Sequence, residues 1–112
     1  MLIVPLQPIP NQTVTVTLND QVTQLNVYQT VGGLFIDVLV NNVLIIGGVI
    51  CQDLNRIVRS LYLGFSGDLA FIDNQPEIVY GQKVYSDPHY SGLGTRFALA
   101  YLFPGELLTN EG

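Results

Sequence analysis

Hydrophobic and polar residues alternate along most of the chain, and the stretch Leu34–Cys51 dominates the pattern. Apolar residues occupy every second position from Leu34 to Val40, which is the period of a β-strand rather than of a helix. Asn41–Asn42 then interrupts the apolar run, and asparagine tolerates the positive φ of a two-residue hairpin turn. The pattern predicts a hairpin whose return strand bends at Gly47–Gly48. Because both faces are largely apolar, we expect this hairpin in the middle of the core and not at a solvent-exposed edge.

Two strands are predicted before this hairpin. Threonine and aliphatic residues alternate in Thr13–Leu18, which is the clearest strand pattern of the chain. Asn19–Asp20 is expected to form a turn, and the chain returns through Val22–Thr30. The phase of the apolar residues changes along this return strand, which indicates a bulge. The expected inward residues are Val14, Val16 and Leu18 on the first strand, and Val22, Leu25, Val27 and Tyr28 on the second.

Residues 1–12 form an extended entry segment that is rich in proline. Pro5, Pro8 and Pro10 lack an amide donor, and each biases the preceding residue away from helix. Such a segment can pair only at the edge of a sheet. It is also apolar, so we expect it to lie against its own domain or against a neighbouring molecule.

A helical period occurs once, in Asp53–Leu61. Apolar residues recur there at positions i, i+3, i+4 and i+7, and Asp53 can cap the first turn. This pattern predicts one short helix. Strand patterns resume in Leu61–Phe65 and Leu69–Asp73, which flank a short turn and therefore predict a third hairpin.

A long polar loop is predicted from Asn74 to Thr95, with a short strand pair around Ile78–Tyr85, before a last strand at Arg96–Phe103. Together these elements predict a single all-β domain over residues 1–112. We expect a small antiparallel barrel or sandwich of about six to eight short strands with one short helix. Residues 105–112 are expected to form a loose tail.

Composition indicates that the protein associates with other proteins. The chain is 48% hydrophobic and 12% charged, against about 25% charged residues in an average globular domain. A small monomer needs polar residues to cover its surface, so this chain is expected to bury surface against partners. A membrane location is not expected, because no run of ~18 apolar residues occurs. The start of the chain lacks the basic region of a signal peptide, which favours synthesis in the cytosol.

Charge and candidate catalytic residues exclude several functions. The net charge is −5 with four basic residues, which is incompatible with a nucleic-acid-binding surface. Cys51, the single cysteine, lies in an apolar run and is expected to be a buried hydrophobic residue.

The group Asp87–Pro88–His89 lacks the ligand number of a metal site, and Gly92–Thr95 lacks the lysine and following helix of a phosphate loop. A catalytic triad of Ser66, His89 and either Asp68 or Asp87 has no supporting motif. We therefore expect no enzyme activity, no cofactor and no metal.

Two stretches resemble a known protein family. The opening VPLQPIPNQTVTVTL, Val4–Leu18, has a proline-spaced entry before a threonine-rich strand, and SGLGTRFALAYL, Ser91–Leu102, has a Leu-Gly-Thr turn before an aromatic-aliphatic strand. Both are similar to the small baseplate plug proteins of contractile-tailed phages, and the resemblance covers nearly the whole chain.

The resemblance implies a structural part of the virion that is made in the host bacterial cytoplasm. Such a protein would lie at the distal end of the tail tube, contact the hub and spike and help to close the channel. It would have other baseplate proteins as partners and would form a homo-oligomeric ring, with no nucleic acid or membrane partner. The candidate contact residues are arginines and loop tyrosines, which are favoured at protein interfaces: Arg56, Arg59, Tyr80, Tyr85, Tyr90 and Arg96.

A second hypothesis from the sequence is a small-ligand or carbohydrate-binding β module, because small barrels often hold ligands. An enzyme is a third hypothesis, for which the chain offers no set of catalytic groups.

Overall fold

A computed structural model describes residues 2–54, 56–58 and 65–104. The described residues are all-β, as predicted, with one short 3-10 turn at Tyr90–Gly92. Nine strands occur in this part of the chain, slightly more than the sequence predicted. They are β1 (Leu2–Val4), β2 (Asn11–Leu18), β3 (Gln21–Thr30), β4 (Gly33–Val40), β5 (Val43–Ile50), β6 (Asp68–Asp73), β7 (Glu77–Val79), β8 (Gln82–Val84) and β9 (Phe97–Leu102).

The larger sheet is an antiparallel meander with the strand order β2-β3-β4-β5. Two-residue turns connect β2 to β3 and β4 to β5, and all four turn residues have positive φ: Asn19 51°, Asp20 63°, Asn41 50° and Asn42 66°. Asparagine and aspartate adopt this conformation at lower cost than other residues with a side chain, and the turn matches the twist of the strands that it joins. The predicted turns at Asn19–Asp20 and Asn41–Asn42 are therefore confirmed.

The smaller sheet has the order β1-β9-β6, so that residues from the two ends of the described chain meet. β1 is an edge strand, in agreement with the proline-limited entry segment, and Val4 pairs with Leu99. A separate two-stranded hairpin, β7-β8, rises from the loop between β6 and β9. This hairpin confirms the short strand pair predicted around Ile78–Tyr85.

The core lies between the two sheets. Leu25, Ile36 and Val38 come from the larger sheet, and Phe71 and Leu99 come from the smaller one, and all five are buried in one cluster. The described strands form no closed barrel, so the architecture is sandwich-like.

The alternation predicted for β2 is also confirmed, since Leu18 is buried, Val14 and Val16 are half-buried and the intervening threonines are exposed.

The predicted helix at Asp53–Leu61 is wrong over the residues that the structure describes there, which are 53, 54 and 56–58. Leu54 has a positive φ of 60°, which ends any helix. This segment instead follows the free side of β6: the amide of Leu54 donates to the carbonyl of Phe71, and that of Ile57 donates to the carbonyl of Leu69, each at 2.9 Å. A two-turn helix is marginal by itself, whereas the side of β6 offers unpaired acceptors.

The predicted third hairpin lies only partly within the described residues. β6 pairs with β9 on one side and with the segment around Leu54 and Ile57 on the other. Phe65 is described and lies outside any strand, and residues 61–64, which were expected to form the first strand of that hairpin, lie outside the described residues.

The predicted orientation of β3 is also wrong at two positions, Val22 and Tyr28. Val22 is 51% exposed, and Thr23 is fully buried in its place beside Leu25 and Val27. The register between β2 and β3 is continuous, so no bulge occurs in this pair. The Thr23 hydroxyl donates to the carbonyl of Gln21 at 3.2 Å, which satisfies its polar atom inside the core. Tyr28 lies on the opposite face, where its ring stacks on Phe35.

The central hairpin does not lie wholly in the core. Its first strand, β4, is central, but its return strand, β5, is the edge of the sheet. Val43 and Leu44 are 61% and 59% exposed. The predicted irregularity at Gly47–Gly48 is confirmed by register shifts between β4 and β5. Asp37 stabilises it, because its Oδ1 accepts a hydrogen bond of 2.7 Å from the amide of Gly48.

Candidate interaction surfaces

The hairpin β7-β8 exposes apolar side chains around its tip. Tyr80 and Gly81 form the turn, with φ of 50° and 78°. Tyr80 is fully exposed and Ile78 is 66% exposed, and Val79 and Val84 are also exposed. Large apolar groups that cluster on a projecting hairpin are typical of a surface that contacts another protein. Glu77 on β7 is the acidic residue at the base of the same hairpin.

An ion pair holds the two ends of the loop that carries this hairpin. Arg96 Nε donates to Asp73 Oδ1 and Arg96 Nη2 donates to Asp73 Oδ2, each at 2.8 Å. The amides of Gln75 and Ser86 donate to the same carboxylate at 3.0 and 2.9 Å. The amide of Asn74 donates to the carbonyl of Arg96 at 2.7 Å. The carboxylate of Asp73 therefore fixes both the segment that enters the hairpin and the segment that leaves it.

These donors change the acidity of Asp73. The hydrogen bonds from Arg96 lower the pKa of the Asp73 carboxyl from 3.8 to about 2. Burial acts in the opposite direction, and the amides of Ser86 and Gln75 add to the lowering. The Asp73 side chain is fully buried, and that of Arg96 is 26% exposed. A buried carboxylate is stable only when such donors surround it.

Two further aspartates extend this network toward the segment beside β6. Asp53 Oδ1 accepts a hydrogen bond of 3.0 Å from the amide of Asp73. Asp87 Oδ1 accepts one of 3.1 Å from the amide of Asp53. The loop that leaves β8 is thereby attached to the body of the protein at Asp87.

The predicted contact tyrosines occupy three different environments. Tyr80 is at the hairpin tip, and Tyr85, directly after β8, is half-buried. Tyr90 is also half-buried and packs against the core cluster. Its amide donates to Gln29 Oε1 at 3.2 Å, and its ring lies 4.6 Å from that of His89. Of the three, Tyr80 projects furthest into solvent.

The predicted contact arginines are likewise separated. Arg56 is exposed. Arg96 is engaged in the ion pair with Asp73, and its guanidinium carbon lies 5.0 Å from the centre of the Phe97 ring. Arg59 lies outside the described residues, so the expected pairing of Arg56 and Arg59 on one helix face has no counterpart in the described segment.

A second surface is a depression of about 480 Å³ beside β1. Its lining includes the apolar residues Ile3, Leu6, Ile72 and Ala98 and the polar residues Asn74 and Thr95. The depression and the exposed hairpin are thus a concave and a convex apolar surface on the same chain.

Sequence reasoning missed the exposure of β5, because it placed the whole central hairpin in the core. Val43, Leu44 and Ile50 are exposed along this edge strand. Gly47–Gly48 was the available signal, since bulges are common at the edges of sheets.

The candidate catalytic residues have separate structural roles. Asp68 is buried, and its Oδ1 accepts hydrogen bonds from the amides of Val58 and Leu69 at 2.8 and 2.7 Å. Ser66 Oγ accepts one from Asn19 Nδ2 at 2.9 Å. His89 Nδ1 lies 2.9 Å from the hydroxyl of Ser91. Within the described residues, no cluster of three or more His, Cys, Asp or Glu side chains could hold a metal ion.

Cys51 is free and buried, with 2% of its surface exposed. Burial raises the pKa of its thiol from 9.0 to about 12. The thiol therefore stays protonated at neutral pH, which agrees with the prediction of a small buried hydrophobic residue.

Comparison with known proteins identifies the family of the chain. In the described part of the chain, no helix has the length and apolar character to span a membrane. None of the curated proteins matches the sequence significantly. A family model described as the cyanophage baseplate Pam3 plug gp18 matches residues 1–104. This match includes both the proline-spaced opening and the closing strand, and the chain therefore belongs to the cyanophage baseplate plug family.

Proposed function

We propose that this protein plugs the distal end of the tail tube as a ring of identical copies that contacts the hub and the spike. The family match over residues 1–104 carries this proposal. As a member of a baseplate plug family, the protein is a component of the virion tail and associates with other baseplate proteins. The position at the tube end, the ring and the direct contacts with hub, spike and tail tube are the proposed part.

The exposed apolar hairpin supports a role in assembly. The hairpin β7-β8 exposes apolar surface at Ile78, Val79, Tyr80 and Val84. Removing such surface from water stabilises an association by about 25 cal/mol per Å². Tyrosine is also among the residues that dominate binding energy at protein interfaces. The hairpin is held at its base by the ion pair of Asp73 and Arg96, so that little conformational freedom is lost when it binds.

Two different apolar surfaces on the same chain support the proposed ring. A closed ring requires head-to-tail contacts, in which one patch of a copy meets a different patch of the next copy. The hairpin tip is convex, whereas the depression beside β1 is concave and has a volume of about 480 Å³. We therefore place Tyr80 of one copy in the depression of its neighbour, against Ile3 and Ile72. Asn74 and Thr95, which also line the depression, supply polar partners for the tyrosine hydroxyl.

This role needs no catalysis, cofactor, nucleic acid or membrane. Synthesis in the host cytoplasm precedes incorporation into the tail. The family match favours the structural role over the small-ligand or carbohydrate-binding module, because its description is that of a baseplate plug.

The test uses particles of a phage that encodes this chain. Cryo-electron microscopy of the tails should reveal the protein at the distal end of the tube in contact with the hub. Tails assembled without the protein should lack that density and have an open channel. The proposal fails if complete, closed tails contain none of the protein.

A further inference from the structure

β2 is an edge strand, and no strand of the described residues pairs with its outer side. It spans eight residues, Asn11–Leu18, and begins the strand order of the larger sheet. Its register with β3 is continuous from Asn11–Tyr28 to Leu18–Gln21. Edge strands usually carry a charge, a proline or a bulge that blocks the addition of another strand. Within its own limits β2 has none of these three, whereas the opposite edge, β5, is bulged at Gly47–Gly48.

The direction of the free backbone groups follows from the hydrogen bonds to β3. The amide of Gln29 donates to the carbonyl of Pro10 at 2.8 Å, and hydrogen-bonded and non-hydrogen-bonded pairs alternate along an antiparallel ladder. The even-numbered residues of β2 therefore bond to β3. The amides and carbonyls of Thr13, Thr15 and Thr17 point away from the sheet, toward the open side.

We propose that β2 pairs antiparallel with β2 of a second copy, about a two-fold axis at Thr15, before the protein enters the baseplate. The sequence around Thr15 is TVTVT, which reads the same in both directions. In this register Thr15 faces Thr15 of the second copy, Thr13 faces Thr17, and Val14 faces Val16. The free groups of the three threonines in each copy then exchange about six backbone hydrogen bonds.

The side chains of β2 favour a second copy of this chain as the partner that pairs with its open edge. The chain has a net charge of −5, but Asn11–Leu18 is uncharged, so self-pairing at this edge brings no like charges together. Threonine pairs directly across an antiparallel ladder are favourable. Val14 and Val16 lie on the inward face but are only half-buried, and a neighbouring strand covers the apolar surface that they expose at the edge.

This two-fold pair is independent of the proposed ring. It uses the same surface on both copies, whereas a ring uses two different surfaces. The pair forms before the copies enter the ring, and there it protects the open edge from uncontrolled strand addition.

Disulfide trapping tests the register directly. Residues in a hydrogen-bonded antiparallel pair have Cα atoms about 5.5 Å apart, which is within the range that a disulfide bridges. Under mild oxidation, purified Thr15→Cys should form a covalent dimer at least ~10-fold faster than Val43→Cys on the opposite edge of the sheet. Cys51 does not compete, because it is buried. Equal rates for the two variants would overturn the proposal.

Sedimentation equilibrium provides the second measurement. Thr15→Lys places two like charges opposite each other and should raise the dissociation constant of the dimer by at least ~10-fold, while the control Val43→Lys should not. Tyr80→Asp removes the contact proposed for the ring and should leave the Thr15→Cys crosslink intact, which separates the two proposals. A Thr15→Lys variant with the same mass distribution as the unmodified protein would refute the two-fold pair.

Discussion

Arg96 binds both carboxylate oxygens of Asp73 at 2.8 Å, and this pair joins the start of the last strand to the end of β6. The two residues are separated by 23 positions in the chain. The intervening loop contains the hairpin β7-β8, so the pair holds the two ends of this loop together at the base of the candidate interaction surface. A bidentate contact fixes the relative orientation of the two groups as well as their distance.

Replacing the arginine should destabilise the fold. In Arg96→Met the carboxylate of Asp73 stays buried but keeps only its amide donors, and we expect the free energy of unfolding to fall by about 1–3 kcal/mol. Urea denaturation measures this change. The control is Lys83→Met on the exposed strand β8, which should change the stability by less than about 0.5 kcal/mol. Equal effects of the two variants would show that the ion pair contributes nothing specific.

The same pair predicts a dependence of stability on pH. The pKa of Asp73 falls from 3.8 to about 2 on folding, so the unfolded state binds more protons than the folded state between these values. The stability that the ion pair of Asp73 and Arg96 contributes is therefore complete above about pH 4 and is lost as the pH falls toward 2. Urea midpoints of the unmodified protein and of Arg96→Met should converge over this range. A difference that stays constant down to pH 2 would contradict the assignment.

The tyrosines should separate into two classes. Tyr80→Ala removes no contact with the core, and we expect it to weaken assembly by about 2 kcal/mol without a change in melting temperature. Tyr90→Ala removes a ring that packs against the core and should lower the stability by about 1–3 kcal/mol. Melting curves and assembly measured on both variants test this division. Tyr85→Ala, at a half-buried position, is expected to weaken assembly with a smaller change in stability than Tyr90→Ala.

Cys51 should be unreactive in the folded protein. Burial raises the pKa of the thiol to about 12 and also blocks access, so alkylation by iodoacetamide should be ~100-fold slower than in the urea-unfolded chain. Mass spectrometry follows the reaction. The matched control is the double variant Cys51→Ala, Val31→Cys, because Val31 is fully exposed and its cysteine should react rapidly in both states. Rapid labelling of native Cys51 would indicate local opening around it.

The strand content and the short turns could be predicted from the sequence, because they depend on neighbouring residues. Asn41–Asn42 adopts positive φ largely through the properties of asparagine itself. The alternation in Thr13–Leu18 and the proline-limited pairing of β1 are local in the same sense. The family resemblance was likewise carried by contiguous stretches of sequence, and the match over residues 1–104 confirms it. The extent of the single domain and the roles of the contact residues stay predictions.

Tertiary structure decided the features that depend on which strands become neighbours. The segment from Asp53 to Val58 has the apolar spacing of a helix, but the free side of β6 offered its amides acceptors that a short helix could not match. β5 is as apolar as β4, yet the pairing order leaves it at the edge and exposes Val43. The partnership of Asp73 with Arg96 has no local signal, because it requires β6 and β9 to pair first. Contacts between distant residues form only when the whole chain buries its apolar surface, and a local pattern contains no information about that order.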